Sequence, residues 1–184
     1  MKSSVGKSEV ILAAAATLFL KHGLRGTSME AIAREAGIAK PTLYAYFPDK
    51  QAVFLALTDQ LISAWRHEFL TALSGEGDIV QRVGAALIAK HKAVMRLLAN
   101  SPHADELYGE HDRLAAAQFR GLDAEMAVAL ETELTRAAIP RPRLMTQLLL
   151  AASYGIGHKA QSMAELGPAL RLLTERLVGP DVPR

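Results

Sequence analysis

From Asp49 to Ser74 the chain carries neither glycine nor proline, and its apolar residues (Val53, Phe54, Leu57, Leu61, Trp65, Phe69, Leu73) recur every three or four positions. That spacing is one face of an α-helix. A helix of this extent is roughly 36 Å long, far more than a small N-terminal head needs. The segment therefore reads as a rod connecting an N-terminal part to the rest of the protein. Pro48 disfavours helix at Phe47, and Asp49 can cap the rod.

The remainder is expected to be helical too. Ala and Leu dominate, β-branched alternation is absent, and about nine helices can be marked out. The first is expected over about Lys7 to His22, with Ile11, Ala15, Leu18 and Phe19 on one face and Gly23 as its stop. Thr27 followed by Glu30 predicts a capping box at the start of the second, which buries Ile32, Ala33 and Ala36 and ends at Gly37. The third occupies about 39 to 46, and the fourth is the rod. "SGEGD" at 74–78 reads as a linker before a fifth helix to about 99. Ser101 is expected to cap a short sixth. A seventh is expected from about 111 to 138, an eighth to about Leu166, and a ninth from Pro168, taken as a first-turn proline, to Val178.

At 184 residues with half of them apolar, the chain can build a real core. It has no cysteine, which excludes disulfides and thiolate metal sites and suits a reducing cytoplasm. Neither a secretory signal nor a membrane span is expected. Residues 1–55 hold seven Lys/Arg against four Asp/Glu, leaving a net charge of −1 on the remainder. A basic head on a near-neutral body hints at a polyanionic partner.

Helices two and three, joined by "GIA" and backed by the first helix, form a candidate helix-turn-helix, whose second helix enters the DNA major groove. Leu43 and Phe47, four apart, are expected to face inward with Ile32 and Phe19 and so hold a helix too short to stand alone. Lys40, Thr42, Tyr44 and Tyr46 cannot all share that face. Pro41 and Thr42 could then touch base edges, while the tyrosine hydroxyls and Lys50 suit phosphate oxygens. The N-terminus of the fourth helix offers backbone N–H groups to a phosphate.

The stretch "ILAAAATLFLKHGLRGTSMEAIAREAGIAKPTLYAYFPDKQAVF", residues 11–54, closely resembles the N-terminal domain of TetR-family transcriptional regulators. The likeness rests on the first helix ending in Leu-Phe, the glycine before Thr-Ser, "IA" then "AGI", and "TLYAYFPDK". It implies an all-helical dimer that represses transcription until a small molecule binds the C-terminal domain. The DNA-contacting positions it implies are Ser28, Lys40, Pro41, Thr42, Tyr44, Tyr46 and Lys50. Ala39 stands where many relatives carry a capping side chain, and Ala45 is small; both bear on operator sequence.

The resulting expectation is a helix-turn-helix DNA-binding domain over 1–50 and an effector-binding and dimerisation domain over 51–184. The small residues of "QLLLAASYGIGHKA" and the apolar face of the last helix suit close helix packing, and the resemblance implies that these helices form a homodimer through about 141–178, reading a pseudo-palindromic operator. Trp65, His67, Met95, Tyr108, Phe119, Met126 and Tyr154 are candidate effector-binding residues, with His91 and His158 as further polar groups. "HADELYGEHD" at 103–112 is acidic but fits no metal-ligand spacing and is read as helix capping. No cofactor, metal or catalytic residue is expected. The alternatives are a non-inducible architectural DNA-binding dimer and an all-α enzyme using the His103–Asp112 region. The expected compartment is the cytoplasm, on the nucleoid when DNA-bound.

Overall fold

The computed structural model describes residues 4–98, 101–160 and 162–182. The described residues form nine α-helices: α1 (Ser4–His22), α2 (Met29–Glu35), α3 (Lys40–Tyr46), α4 (Lys50–Leu73), α5 (Ile79–Leu98), α6 (Ala104–Leu114), α7 (Ala116–Arg136), α8 (Pro142–Lys159) and α9 (Met163–Leu177), with a final 3-10 turn at Gly179–Asp181. Two compact units emerge, Met1–Ile62 with Leu97–Gln118, and Ser63–Arg96 with Phe119–Arg184. The first holds α1, α2, α3, the first half of α4, and α6. The unbroken α4 gives residues to both.

In the first unit most of the predicted inward positions are buried, while Leu18 and Ala36 are only half-buried. Ile11, Ala15, Phe19, Ile32 and Leu43 are all at most 2% exposed, and Phe47 is 9% exposed. Phe19 meets Phe54 of α4 edge to face, with ring centroids 5.9 Å apart, a pairing that adds to plain burial. Gly37 turns the chain between α2 and α3 at φ +66°. The Ile38 N–H donates to the Ala33 carbonyl and the Gly37 N–H to that of Arg34. This Schellman closure needs a left-handed residue, which glycine supplies without steric cost.

Several boundaries differ from the sequence expectation. The cap of α2 is Ser28, whose Oγ accepts the Ala31 N–H at 3.1 Å. Thr27 is instead buried, and its hydroxyl donates to the Gly23 carbonyl at 2.8 Å. The helix starts one residue later than expected, so Glu30 falls one place too early to close a capping box. A reciprocal cap does occur at "SGEGD": Asp78 Oδ1 accepts the Gln81 N–H at 2.8 Å and Gln81 Oε1 accepts the Asp78 N–H at 3.2 Å. The expected linker thus ends as a helix start.

Downstream, α6 reaches Leu114 and α7 begins only at Ala116, after a bend at the fully buried Ala115. Leu114 therefore ends α6, and Leu122, Met126, Leu130 and Leu134, four residues apart, form the buried stripe of α7. Ser101 donates to the Leu20 carbonyl at 2.9 Å and accepts the His103 N–H at 3.2 Å, so it ties the approach of α6 to the end of α1. α8 stops at Lys159, and α9 begins at Met163, placing Pro168 inside it rather than in its first turn. Leu166 and Leu170, both fully buried, hold α9 in place on either side of that proline, and such packing outweighs a lost backbone bond.

The second unit has its own core. Phe69, Val83, Leu87, Leu130, Leu149 and Leu170 are fully buried. Gly84 of α5 sits against Thr174 of α9, where a Cβ would lie 3.0 Å from the Thr174 hydroxyl. Arg82 donates to the Leu73 carbonyl at 3.3 Å and to Glu133 at 2.9 Å, joining α4, α5 and α7 within this unit.

Candidate nucleic-acid interface

Seven residues are too few for a stable isolated helix, so α3 depends on what it packs against. Leu43 and Phe47 face inward. Lys40, Pro41, Tyr44 and Ala45 are exposed, while Thr42 and Tyr46 are half-buried. The Ala39 cap has extended backbone (φ −69°, ψ 143°) and no side-chain hydrogen bond. The Thr42 and Leu43 N–H groups both turn back to the Ala39 carbonyl, which leaves the start of α3 closed by backbone alone.

The flanking polar residues are more engaged than their spacing implies. Ser28 is exposed, but its hydroxyl is the α2 cap. Lys40 Nζ lies 3.0 Å from Glu30 Oε1. That hydrogen bond to Lys40 is the largest cause holding the Glu30 carboxyl below its ordinary range. Lys50 Nζ donates to the Thr27 carbonyl at 2.7 Å and to that of Arg25 at 3.4 Å. It thereby bridges the start of α4 to the entry of α2. At α4 itself, Asp49 Oδ1 accepts the Ala52 N–H at 2.8 Å, as its position before the helix predicted. One of the N–H groups proposed for a phosphate is therefore already taken.

Residues 11–57 match the family model for bacterial regulatory proteins of the tetR family. This segment is a TetR-family domain. Over 59 residues the chain is 41% identical to the HTH-type transcriptional regulator RutR of Escherichia coli (strain K12). The match covers 32% of this chain and spans 28% of the length of RutR. The fold likeness extends over the whole molecule. A transcriptional regulator of the TetR/AcrR family from Thermobifida fusca YX-ER1 superposes with a TM-score of 0.73 at 20% identity, over 92% of this chain and 96% of that one. SmeT, in complex with triclosan, gives 0.71 at 20% identity, over 93% and 90%. At such identity the likeness is one of fold: all-helical, with a helix-turn-helix head and a helical C-terminal part.

Sequence reasoning missed how α6 attends the TetR-family head. Glu106 Oε1 accepts the Arg25 N–H at 2.8 Å, and Glu110, 6% exposed, lies 3.5 Å from the Arg25 guanidinium and also pairs with Arg113. His103 Nδ1 is 3.5 Å from Glu106 Oε2. Glu106 and Glu110, four apart, share one helix face, a signal present in the sequence but not tied to any partner. The described part of the 103–112 stretch thus braces the α1–α2 turn. The His111 and Asp112 side chains lie outside the described ones. Among the described residues no group of three or more His, Asp or Glu side chains is placed to hold a metal. No described helix is long and apolar enough to cross a membrane.

The candidate effector residues divide. Trp65 and Phe119 meet with centroids 5.9 Å apart, and Trp65 and Met126 are buried in the second unit. Met95 is half-buried, and His67 is exposed. Tyr154 is 68% exposed, its ring stacked on His158 at 6.3 Å. The Tyr108 side chain lies outside the described ones. His91 sits over Gly157 of α8 with its Nε2 buried and unpartnered among the described residues. Along α8 and α9, Leu144, Leu148 and Leu172 are exposed; a separate open depression of about 500 Å3 is lined by Ala152, Gly155, Ile156, Lys159, Ala160, Glu165 and Ala169.

Proposed function

We propose that this chain is a sequence-specific DNA-binding transcriptional regulator. The observation that carries this reading is α3. Leu43 and Phe47 anchor it in the core of a TetR-family domain, which leaves Lys40, Pro41 and Tyr44 turned outward at groove-reading positions. Residues 1–50 form the DNA-binding part and 51–184 the effector and dimerisation part. Thr42 and Pro41 address base edges; Tyr44, Tyr46, Ser28 and Lys50 position the head on the backbone.

The exposed leucines of α8 and α9 support a homodimer through residues 141–178, presenting two heads to a pseudo-palindromic operator. That a protein of this fold, SmeT, is found in complex with triclosan supports a small-molecule effector here, with Trp65, Phe119 and Met126 as its first candidate contacts. Such an effector acts by binding one arrangement of the dimer better than the other, and shifts DNA binding by no more than that difference.

The test is selection of genomic DNA fragments on the full chain. A small recurrent set of fragments sharing a two-fold motif is the expected result. Retention no better than on random sequence overturns the reading. Tyr44→Phe removes one hydroxyl and is expected to weaken binding to the selected fragment roughly two- to tenfold.

A further inference from the structure

Lys40 opens α3 at the edge of the outward face, yet its ammonium is held by the Glu30 carboxylate of α2 at 3.0 Å. Both side chains are about half exposed, 58% and 48%, so a third charged group can reach the pair. Ion pairs this open are weak, and duplex DNA offers a closely spaced row of competing anions. Glu30 cannot follow Lys40 onto that row, because its carboxylate would meet like charge. A Lys40–phosphate contact therefore brings the phosphate against the Glu30 carboxylate, and the like charge opposes the contact or drives that partner away.

We propose that Glu30 is a specificity-determining residue that withholds Lys40 from loosely bound DNA and releases it only when α3 is fully seated in its operator. This inference rests on the DNA-binding reading above. Its physical basis is the difference between the two modes of binding. Non-specific affinity comes almost wholly from phosphate neutralisation and counterion release. A lysine with a carboxylate beside it contributes less to that, because the phosphate that meets Lys40 also meets the charge of Glu30. On the operator, base contacts along α3 fix the helix close to the duplex, and the displaced carboxylate is outweighed by contacts that random sequence does not supply. An acid beside the first residue of the recognition helix thus lowers background binding more than operator binding.

The experiment compares full-length wild type, Glu30→Gln, Lys40→Gln and the double variant. Each is titrated onto a random-sequence duplex and onto a fragment retained by wild type, over about 50 to 200 mM salt. Glu30→Gln is expected to steepen the salt dependence on the random duplex by about 0.9 in log–log slope, one extra phosphate contact. That amounts to roughly a 3.5-fold greater loss across this range. Operator affinity is expected to change less, so the operator-to-random ratio falls. In the Lys40→Gln background, Glu30→Gln is expected to leave the slope unchanged. The proposal is overturned if Glu30→Gln leaves the random-duplex slope unchanged. It is equally overturned if the slope steepens as much without Lys40, or if operator affinity rises in proportion. Wild type failing to bind either DNA overturns the DNA-binding reading itself, and this inference with it. Helical circular dichroism of each variant keeps folding separate from binding.

Discussion

Glu106 Oε1 accepts the backbone N–H of Arg25 at 2.8 Å, across 81 residues of sequence. The turn between α1 and α2 cannot satisfy that donor through helix bonds of its own, and a carboxylate from α6 does so instead. Gly23, at φ +72°, lies so close that any Cβ there would run into the Glu106 carboxylate. The turn and the acid are therefore shaped to each other.

Removing either side should destabilise the fold. Glu106→Ala is expected to cost about 1.5–3 kcal/mol, the range for a charge-assisted hydrogen bond. Gly23→Ala combines left-handed strain with the clash and should also be destabilising. Urea denaturation of the two variants and their combination provides the check. Costs well below additive in the double variant are expected, since both changes disturb one contact.

Ala39 leaves α3 uncapped although its backbone is already in the capping conformation. Ala39→Ser gives the Thr42 N–H a side-chain acceptor. It should stabilise the protein by about 0.5–1 kcal/mol, seen as a higher urea midpoint with an unchanged slope.

At the end of α7, Ala138 adopts φ 55°, with the Ile139 N–H closing onto the Leu134 carbonyl at 3.0 Å. Glycine is the residue suited to that position. Ala138→Gly is expected to stabilise by up to about 1 kcal/mol, and thermal unfolding should register the gain.

Burial, with a lesser push from Lys90 against a pull from Asp123, brings the His91 pKa from its ordinary 6.5 down to about 4. Between those values the unfolded chain binds a proton that the folded chain refuses. Stability is therefore complete above pH 6.5 and falls as the pH drops toward 4, by up to about 3 kcal/mol from this one group. His91→Leu should flatten that part of the stability–pH profile, measured by urea midpoints across the range.

Leu148 and Leu172 stand 47% and 52% exposed on α8 and α9. If these helices pair two copies, Leu148→Glu places a charge in the interface. Analytical ultracentrifugation should then find monomer where wild type sediments as dimer. Operator binding should fall with it, because two linked heads bind far more tightly than one.

The elements legible in advance were those governed by local periodicity. The long α4, the inward pair Leu43 and Phe47, the uncapped Ala39 and the capping Asp49 all depend on short-range rules. The capping box expected at Thr27 failed because burial of the Thr27 hydroxyl against the Gly23 carbonyl moved the helix start by one residue. Pro168 misled because packing of Leu166 and Leu170 carries α9 past a residue that would normally begin or end a helix. Side-chain chemistry alone makes His67 and Tyr154 effector candidates, and the structure leaves both exposed.

By itself, the sequence determined the helical class, the order of the helices and the outward and inward faces of the helix-turn-helix segment. These depend on spacings of three and four residues and on glycine and proline, which act within a turn or two of the chain. Only the tertiary structure decided which charges are already partnered. Glu30 on Lys40, the Arg25 and Thr27 carbonyls on Lys50, and Glu106 and Glu110 on the α1–α2 turn join residues 10 to 85 positions apart. Hydrogen bonds and ion pairs act over a few ångströms of space whatever the chain distance between partners, and no periodicity along the sequence records them.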